Sequence, residues 1–219
     1  MIKLSKRLMA IASLIDDNLS IIDIGCDHGL LDIYLINNRS NISIIANDIN
    51  KNAIENVKRN IKKYNSLNID VRLGNGLDIV DANEIDTIVI SGMGTYTIID
   101  IFESNKNKLD NVNNIIIQSN NNLEELRRYI TSIGYYIDDE ILVEDNNIIY
   151  TVIRFKKGIK EYNDKELFLG PILLKNKDDL FYKLSNINKN KLVNILHKLP
   201  IDNNYYDVIK KKIDYYNEI

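Results

Sequence analysis

The chain has 219 residues, 45% of them hydrophobic, and a net charge of −3, which is enough apolar mass to bury one full domain with a small appendage and excludes a disordered chain. A single cysteine excludes an internal disulfide and a cysteine-rich zinc site, two histidines leave little for metal chemistry, and the slight acidic balance argues against a broadly basic nucleic-acid-binding surface. Lys3, Lys6 and Arg7 interrupt the stretch where a signal peptide would be apolar, and no segment reaches membrane-spanning length, so a cytoplasmic protein with no membrane or metal partner is expected. Leu4, Leu8, Ile11, Ala12 and Ile15 recur at helical spacing and predict an amphipathic helix over residues 4–15. Strands rich in isoleucine and valine are predicted at 20–25, 42–47, 69–73, 85–91 and 114–118, with helical patterns between most of them. Such alternation implies a parallel sheet with ligand sites at the carboxyl ends of its strands. After a helix over 123–133, segments 135–144 and 147–156 read as a β-hairpin turning at Asp145-Asn146. A terminal antiparallel hairpin on a parallel sheet departs from dinucleotide-binding Rossmann domains, which end on another parallel strand. The domain is therefore expected over residues 1–158, with a helical extension over 159–219 built from a long helix at 177–199, a stop at Pro200 and a returning helix at 205–216.

The run Ile21-Ile22-Asp23-Ile24-Gly25-Cys26-Asp27-His28-Gly29 reads as a buried strand feeding a nucleotide-binding turn. Glycines accept positive φ and let the backbone approach a ligand, and the following helix offers unpaired N–H groups. Gly25 and Gly29 fit both roles, with Cys26 and His28 in the same turn. A dinucleotide fingerprint carries its second glycine where this chain has Asp27. A carboxylate there repels pyrophosphate and suits a cationic nucleoside, so S-adenosyl-L-methionine is the expected cofactor rather than NAD.

Asp48, followed by Ile49, ends the second strand roughly twenty residues past the turn, where an acid accepts both hydroxyls of a ribose; capping the next helix is the alternative. Asn75 and Gly76 follow the third strand, where an amide carbonyl can accept from the adenine amino group, although Asn-Gly is also a good turn dipeptide. Gly92, Met93 and Gly94 close the fourth strand as a loop pressed against the acceptor, unless Met93 simply fills core. The Asn/Asp-Pro-Pro-aromatic tetrapeptide that grips an exocyclic amine is missing, so a ring nitrogen is the expected target. Asp27 is the expected catalytic carboxylate, orienting the acceptor or neutralising the cation that methylation creates, with Met93 beside it. His28 reads as structural and Cys26 as a small turn residue. Lys3, Lys6 and Arg7 either bind an anionic group or form a solvated face.

Taken together, Leu4-Ser5-Lys6-Arg7-Leu8, Asp23-Ile24-Gly25-Cys26-Asp27-His28, Gly92-Met93-Gly94, Ile117-Gln118-Ser119-Asn120, Leu126-Arg127 and the stretch from Glu140 to Tyr150 resemble the bacterial tRNA (adenine-22 N1)-methyltransferases, the TrmK-like family. The likeness runs from Leu4 to about Phe155, and the helical extension is similar to the family's coiled-coil appendage. Cys26, Gly29, Leu30 and the lack of a proline after Leu31 depart from the family pattern, as do Asn75 and Thr95, the latter expected to add bulk near the acceptor. The resemblance implies a Rossmann-like class I methyltransferase fold with a mostly parallel seven-stranded sheet ending in an antiparallel hairpin, plus a C-terminal helical hairpin. It further implies methyl transfer from S-adenosyl-L-methionine to N1 of adenosine 22, in the D-arm region of tRNA. Extruding that base costs a few kcal/mol, to be offset by basic residues, with Lys3, Lys6, Arg7, Arg127 and Arg128 expected around the catalytic face and Lys210, Lys211 and Lys212 on the last helix. A methyltransferase for a small molecule or protein, and a non-catalytic tRNA-binding scaffold, are the alternatives. A monomer is the expectation, the oligomeric state being otherwise open.

Overall fold

A computed structural model describes residues 2–219, which form two compact units dividing between Lys160 and Glu161. In the first unit Ser5 caps helix α1 (Lys6–Ser13), its Oγ accepting from the Leu8 amide at 3.3 Å, so the helix starts two residues later than the apolar spacing predicts. Strands and helices then alternate: β1 (Ser20–Ile24), α2 (Leu30–Asn38), β2 (Ser43–Asp48), α3 (Lys51–Tyr64), β3 (Ile69–Leu73), β4 (Thr87–Met93), α4 (Thr95–Glu103), β5 (Asn114–Ser119) and α5 (Leu123–Ser132). The hairpin β6 (Tyr135–Asp145) and β7 (Ile148–Lys157) follows. Its turn is Asn146-Asn147, one residue beyond the expected Asp145-Asn146, because both asparagines adopt left-handed φ (51° and 63°) as a two-residue hairpin turn demands. Asp145 is thereby left on the strand.

The sheet has seven strands in the order β3-β2-β1-β4-β5-β7-β6. Strands β1 to β5 pair in parallel, and β7 runs antiparallel to both β5 and β6. Strand β1 is flanked by β2 on one side and β4 on the other, so the winding reverses between β1 and β4 and opens a crevice at their carboxyl ends. Near-continuous burial of Ile21, Ile22 and Ile24, and of Ile88, Val89 and Ile90, is what a central parallel strand covered on both faces requires. Helices α1, α2 and α3 touch one another in one group and α4 and α5 in another, each group packing on the sheet. Strand β4 reaches two residues further than expected because Gly92, at φ 78°, forms a bulge where the register against β5 shifts.

The second unit holds two short helices that the sequence reading passed over, α6 (Asp164–Leu169) and α7 (Pro171–Asn176), then α8 (Asp179–Leu196) and α9 (Tyr206–Asn217). A capping box starts α6: the Asn163 side chain accepts from the Glu166 amide at 2.9 Å, and Glu166 accepts in return from the Asn163 amide at 2.8 Å. Helix α9 lies along α8 and also reaches α6, where Phe168 stacks edge-on to Tyr216 and Asp164 pairs with Lys211 at 2.9 Å.

Candidate active site

The turn after β1 is fastened to β2 by two amides, Gly25 at 2.8 Å and Cys26 at 3.0 Å, that donate to the Asn47 carbonyl. Gly25 holds φ 78°, which an L side chain rarely adopts, and a Cβ there would displace the Met93 Cε where the two strand ends approach. Asp27, next but one, takes φ 50° and leaves its carboxylate exposed. Gly29 takes the positive φ expected of it, at 64°. It is buried outside the cavity lining, with the Val57 side chain 2.9 Å from where a Cβ would stand, so its small size also lets α3 close on the turn.

Asp48 sits where β2 ends. Its Oδ1 accepts from the Asn50 amide at 2.8 Å and its Oδ2 from the Asp27 amide at 3.3 Å. The cap of α3 is Asn50, whose side chain accepts from the Asn52 amide at 2.9 Å, which leaves Asp48 to face the crevice. Ile49 beside it is 72% exposed, a large apolar surface at the rim. Asn75, after β3, also borders the cavity and donates through Nδ2 to Asp78 at 3.4 Å.

These groups line a cavity of about 570 Å³ at the switch point, within the range of small-molecule sites. Gly25, Cys26, Asp27, His28, Asp48, Ile49, Asn75, Gly76, Gly92 and Met93 all border it, as does Arg7; Gly94 stands back against Asn121. His28 is half exposed and lies 3.5 Å from the Asp27 carboxylate. Burial, then the nearby carboxyls of Asp32, Asp23 and Asp48, push the Cys26 thiol far up, which rules it out as a thiolate nucleophile. Asp23 and Asn47 also border the cavity, buried to 4% and 1% exposure. The sequence reading passed over both, together with Asp32 on α2; an aspartate inside an isoleucine run is the signal that points to them.

The bank formed by β4 and β5 is made differently. Asn120 donates to the Gly92 carbonyl at 2.7 Å, and its amide donates to the Met93 carbonyl at 2.9 Å. Gln118 donates to Asn120 at 3.2 Å and accepts from Arg7 Nη1 at 2.7 Å. The Arg7 guanidinium also lies 5.6 Å from the Tyr150 ring centroid, and its amide donates to Asp145 at 3.1 Å. That amide, aided by Ser5, Lys6 and the Arg7 charge, holds the Asp145 carboxyl below the usual range. Arg7 is thus fixed at the cavity rim, while Lys3 and Lys6 beside it are exposed. Thr95, expected to crowd the acceptor, is fully buried; its hydroxyl donates to the Asn121 carbonyl at 2.6 Å and lies 2.9 Å from the Ser119 hydroxyl.

One expected tRNA contact needs correction. Arg127 is 1% exposed and donates from Nε to Glu140 at 2.8 Å, an internal ion pair that ties α5 to β6 and cannot reach RNA. Arg128, on the same helix, is partly exposed and pairs with Glu124 one turn earlier at 3.1 Å. Among the described residues no helix is long and apolar enough to cross a membrane.

The donor set fits S-adenosyl-L-methionine: the acidic side chains of Asp23, Asp27 and Asp48 would attract its positive charges, and the Asp27 carboxylate in the turn would repel a pyrophosphate. Residues 21–218 match the family model described as TrmK, tRNA (adenine(22)-N(1))-methyltransferase. The chain is 33% identical over 189 residues to the tRNA (adenine(22)-N(1))-methyltransferase of Bacillus subtilis, covering 83% of this chain and 79% of that protein. Among solved structures, a putative tRNA (m1A22) methyltransferase of Streptococcus pneumoniae in complex with S-adenosyl-L-methionine superposes with a TM-score of 0.89 at 28% identity, covering 99% of each chain. TrmK of M. capricolum with S-adenosyl-homocysteine gives a TM-score of 0.86 at 30% identity, over 98% of this chain and 96% of that one. The fold, the acidic cavity at its switch point and these likenesses agree: the chain belongs to the TrmK family of tRNA (adenine(22)-N(1))-methyltransferases.

Proposed function

We propose that this protein transfers a methyl group from S-adenosyl-L-methionine to N1 of adenosine 22 in tRNA, releasing S-adenosyl-homocysteine. The observation that carries this is an acidic nucleoside-sized cavity at the β1/β4 switch point of a chain that matches the family from residue 21 to 218. When bound, the cofactor supplies an electrophilic methyl group. Asp48, already oriented by the Asn50 and Asp27 amides, accepts the ribose hydroxyls, and Asn75 accepts from the adenine amino group. Gly25 and Met93 shape the floor between the two banks, because the Met93 Cε occupies the space that a Gly25 side chain would need.

N1 of adenine has a lone pair at neutral pH, so positioning and not proton abstraction carries the rate. The fixed chain Arg7–Gln118–Asn120–Gly92 supplies a rigid wall for the acceptor base, with the Tyr150 ring behind the Arg7 guanidinium. Methylation leaves a positive charge on the adenine, and the exposed Asp27 carboxylate beside the cavity stabilises it. Lys3 and Lys6 next to Arg7, and Lys210 on α9, meet tRNA phosphates; Lys211 and Lys212 contribute less because Asp164 already pairs with the first and the second sits over the Phe168 ring.

The test is transfer from labelled S-adenosyl-L-methionine to an unmodified tRNA transcript, with nuclease digestion and mass spectrometry to place the product. One 1-methyladenosine at position 22, lost when that adenosine is replaced by guanosine, is the expected result. Labelling of protein or small molecules alone, with none in tRNA, would overturn it.

A further inference from the structure

We propose that Asp32 is a positioning residue for the cofactor: it shares one proton with Asp23 beneath the glycine turn, and the pair gives up that proton when the cationic amino-acid end of S-adenosyl-L-methionine binds above it. This rests on the cavity being the cofactor site. Asp23 on β1 is 4% exposed and Asp32 on α2 is 0% exposed, and the two carboxyls are near enough to perturb each other. Two facing carboxyls can hydrogen-bond to each other only through a proton held between them. Among the described residues, Asp23 Oδ1 and both Asp32 oxygens receive no hydrogen-bond donor, so nothing else in the protein stabilises two buried charges there. Asp23 borders the cavity, and so does Asn47, whose buried Oδ1 also lacks a partner; both leave acceptor capacity for a cation.

The charges around the pair come from every neighbouring element. Arg7 on α1 favours ionisation, whereas Asp48 on β2 opposes it, and the Cys26 thiol in the turn stays neutral. Burial raises Asp23 to about 7, with the Asp32 hydrogen bond pulling the other way, and burial together with Asp23 raises Asp32 well above its usual range. Around neutral pH the pair therefore still holds a proton. A bound ammonium shifts the balance toward two carboxylates, and the proton leaves to solvent. No bond other than the O–H is broken.

Calorimetric titration of the full-length protein with S-adenosyl-homocysteine, in phosphate, cacodylate and imidazole buffers at pH 6.5, counts the protons released from the dependence of apparent heat on buffer ionisation. Release of roughly 0.5–1 proton is expected, and the dissociation constant should tighten about tenfold from pH 5.5 to 7, a range in which the ligand's own α-amino group stays protonated. With Asp32→Asn, whose amide donates permanently to Asp23, release should fall toward zero and the pH profile flatten. 5′-Methylthioadenosine, which lacks the amino-acid end, should bind without proton release. Tight binding of S-adenosyl-homocysteine to the wild type with no proton released would overturn the proposal while leaving the site assignment intact. Equal release by methylthioadenosine would overturn the role given to the ammonium. Absence of binding by either ligand would overturn the site assignment, and the proposal with it.

Discussion

The two banks of the cavity are built on opposite principles. The β1/β2 bank is made of backbone in left-handed conformations at Gly25 and Asp27, and of carboxyls, with that of Asp48 held by amides and that of Asp23 buried. The β4/β5 bank is made of side-chain amides and one arginine: Gln118, Asn120 and Arg7 joined in a chain that ends on the Gly92 carbonyl. Under the proposed function, a ligand with fixed positive charges meets the first bank, and a planar base attached to a polyanion meets the second. The cofactor side would then gain its specificity from charge placed by tight turns, and the acceptor side from rigid polar geometry gathered across long sequence separations.

Substitutions can break that division. The largest effect should come from Gly25→Val, which adds strain at φ 78° and a collision with Met93; S-adenosyl-homocysteine affinity should fall more than about 100-fold by calorimetry, with the far-ultraviolet spectrum retained. Arg127→Ala should leave Glu140 charged and buried, costing roughly 3–5 kcal/mol of stability and lowering the melting temperature by about 10 °C, while cofactor affinity of the folded protein stays within twofold. A tRNA-binding defect in Arg127→Ala without loss of stability would return that residue to the RNA surface. Lys6→Glu should weaken tRNA binding by roughly tenfold and flatten its salt dependence, with cofactor affinity unchanged in the same preparation.

The smallest effect is a pH dependence. Asp23 is raised from 3.8 to about 7 in the folded protein, so its protonation stabilises the fold below the unfolded value, and that contribution is lost as pH rises through 7. Glu84 and Asp145 are lowered, so their contribution is lost only on acidification below the ordinary carboxylate range. The melting temperature should therefore rise by a few degrees from pH 8 to pH 5.5 in the wild type, and much less in Asp32→Asn. A flat wild-type profile would show that the pair does not titrate there.

Sequence pattern exposed the first bank far better than the second. An isoleucine run that breaks into glycine, and an acid at the end of the next strand, are local signals that mark Gly25 and Asp48 without any knowledge of tertiary contacts. Arg7 was ambiguous between a solvated face and a ligand, because its partner Gln118 lies 111 residues away. Arg127 misled for the same reason: on α5 it looks like one more surface charge until β6 brings Glu140 against it. Asp23 stood in plain view inside a hydrophobic strand, yet its meaning depends on Asp32, which helical spacing alone does not aim at β1. The short helices α6 and α7 escaped because six residues carry too little periodicity to read, although Asn163 and Glu166 spell the capping box.

The most direct test of the division between banks is a crossed binding measurement on Asp48→Ala and Arg7→Ala. Each variant is titrated with S-adenosyl-homocysteine in the absence of RNA, and with unmodified tRNA in the absence of cofactor. Asp48→Ala should lose about 1.5–3 kcal/mol of cofactor affinity per lost hydrogen bond to the charged acceptor and keep its tRNA affinity. Arg7→Ala should lose roughly tenfold in tRNA affinity and stay within about threefold for the cofactor. Equal losses of both affinities in both variants would contradict the account, because the two banks would then act as one undivided site.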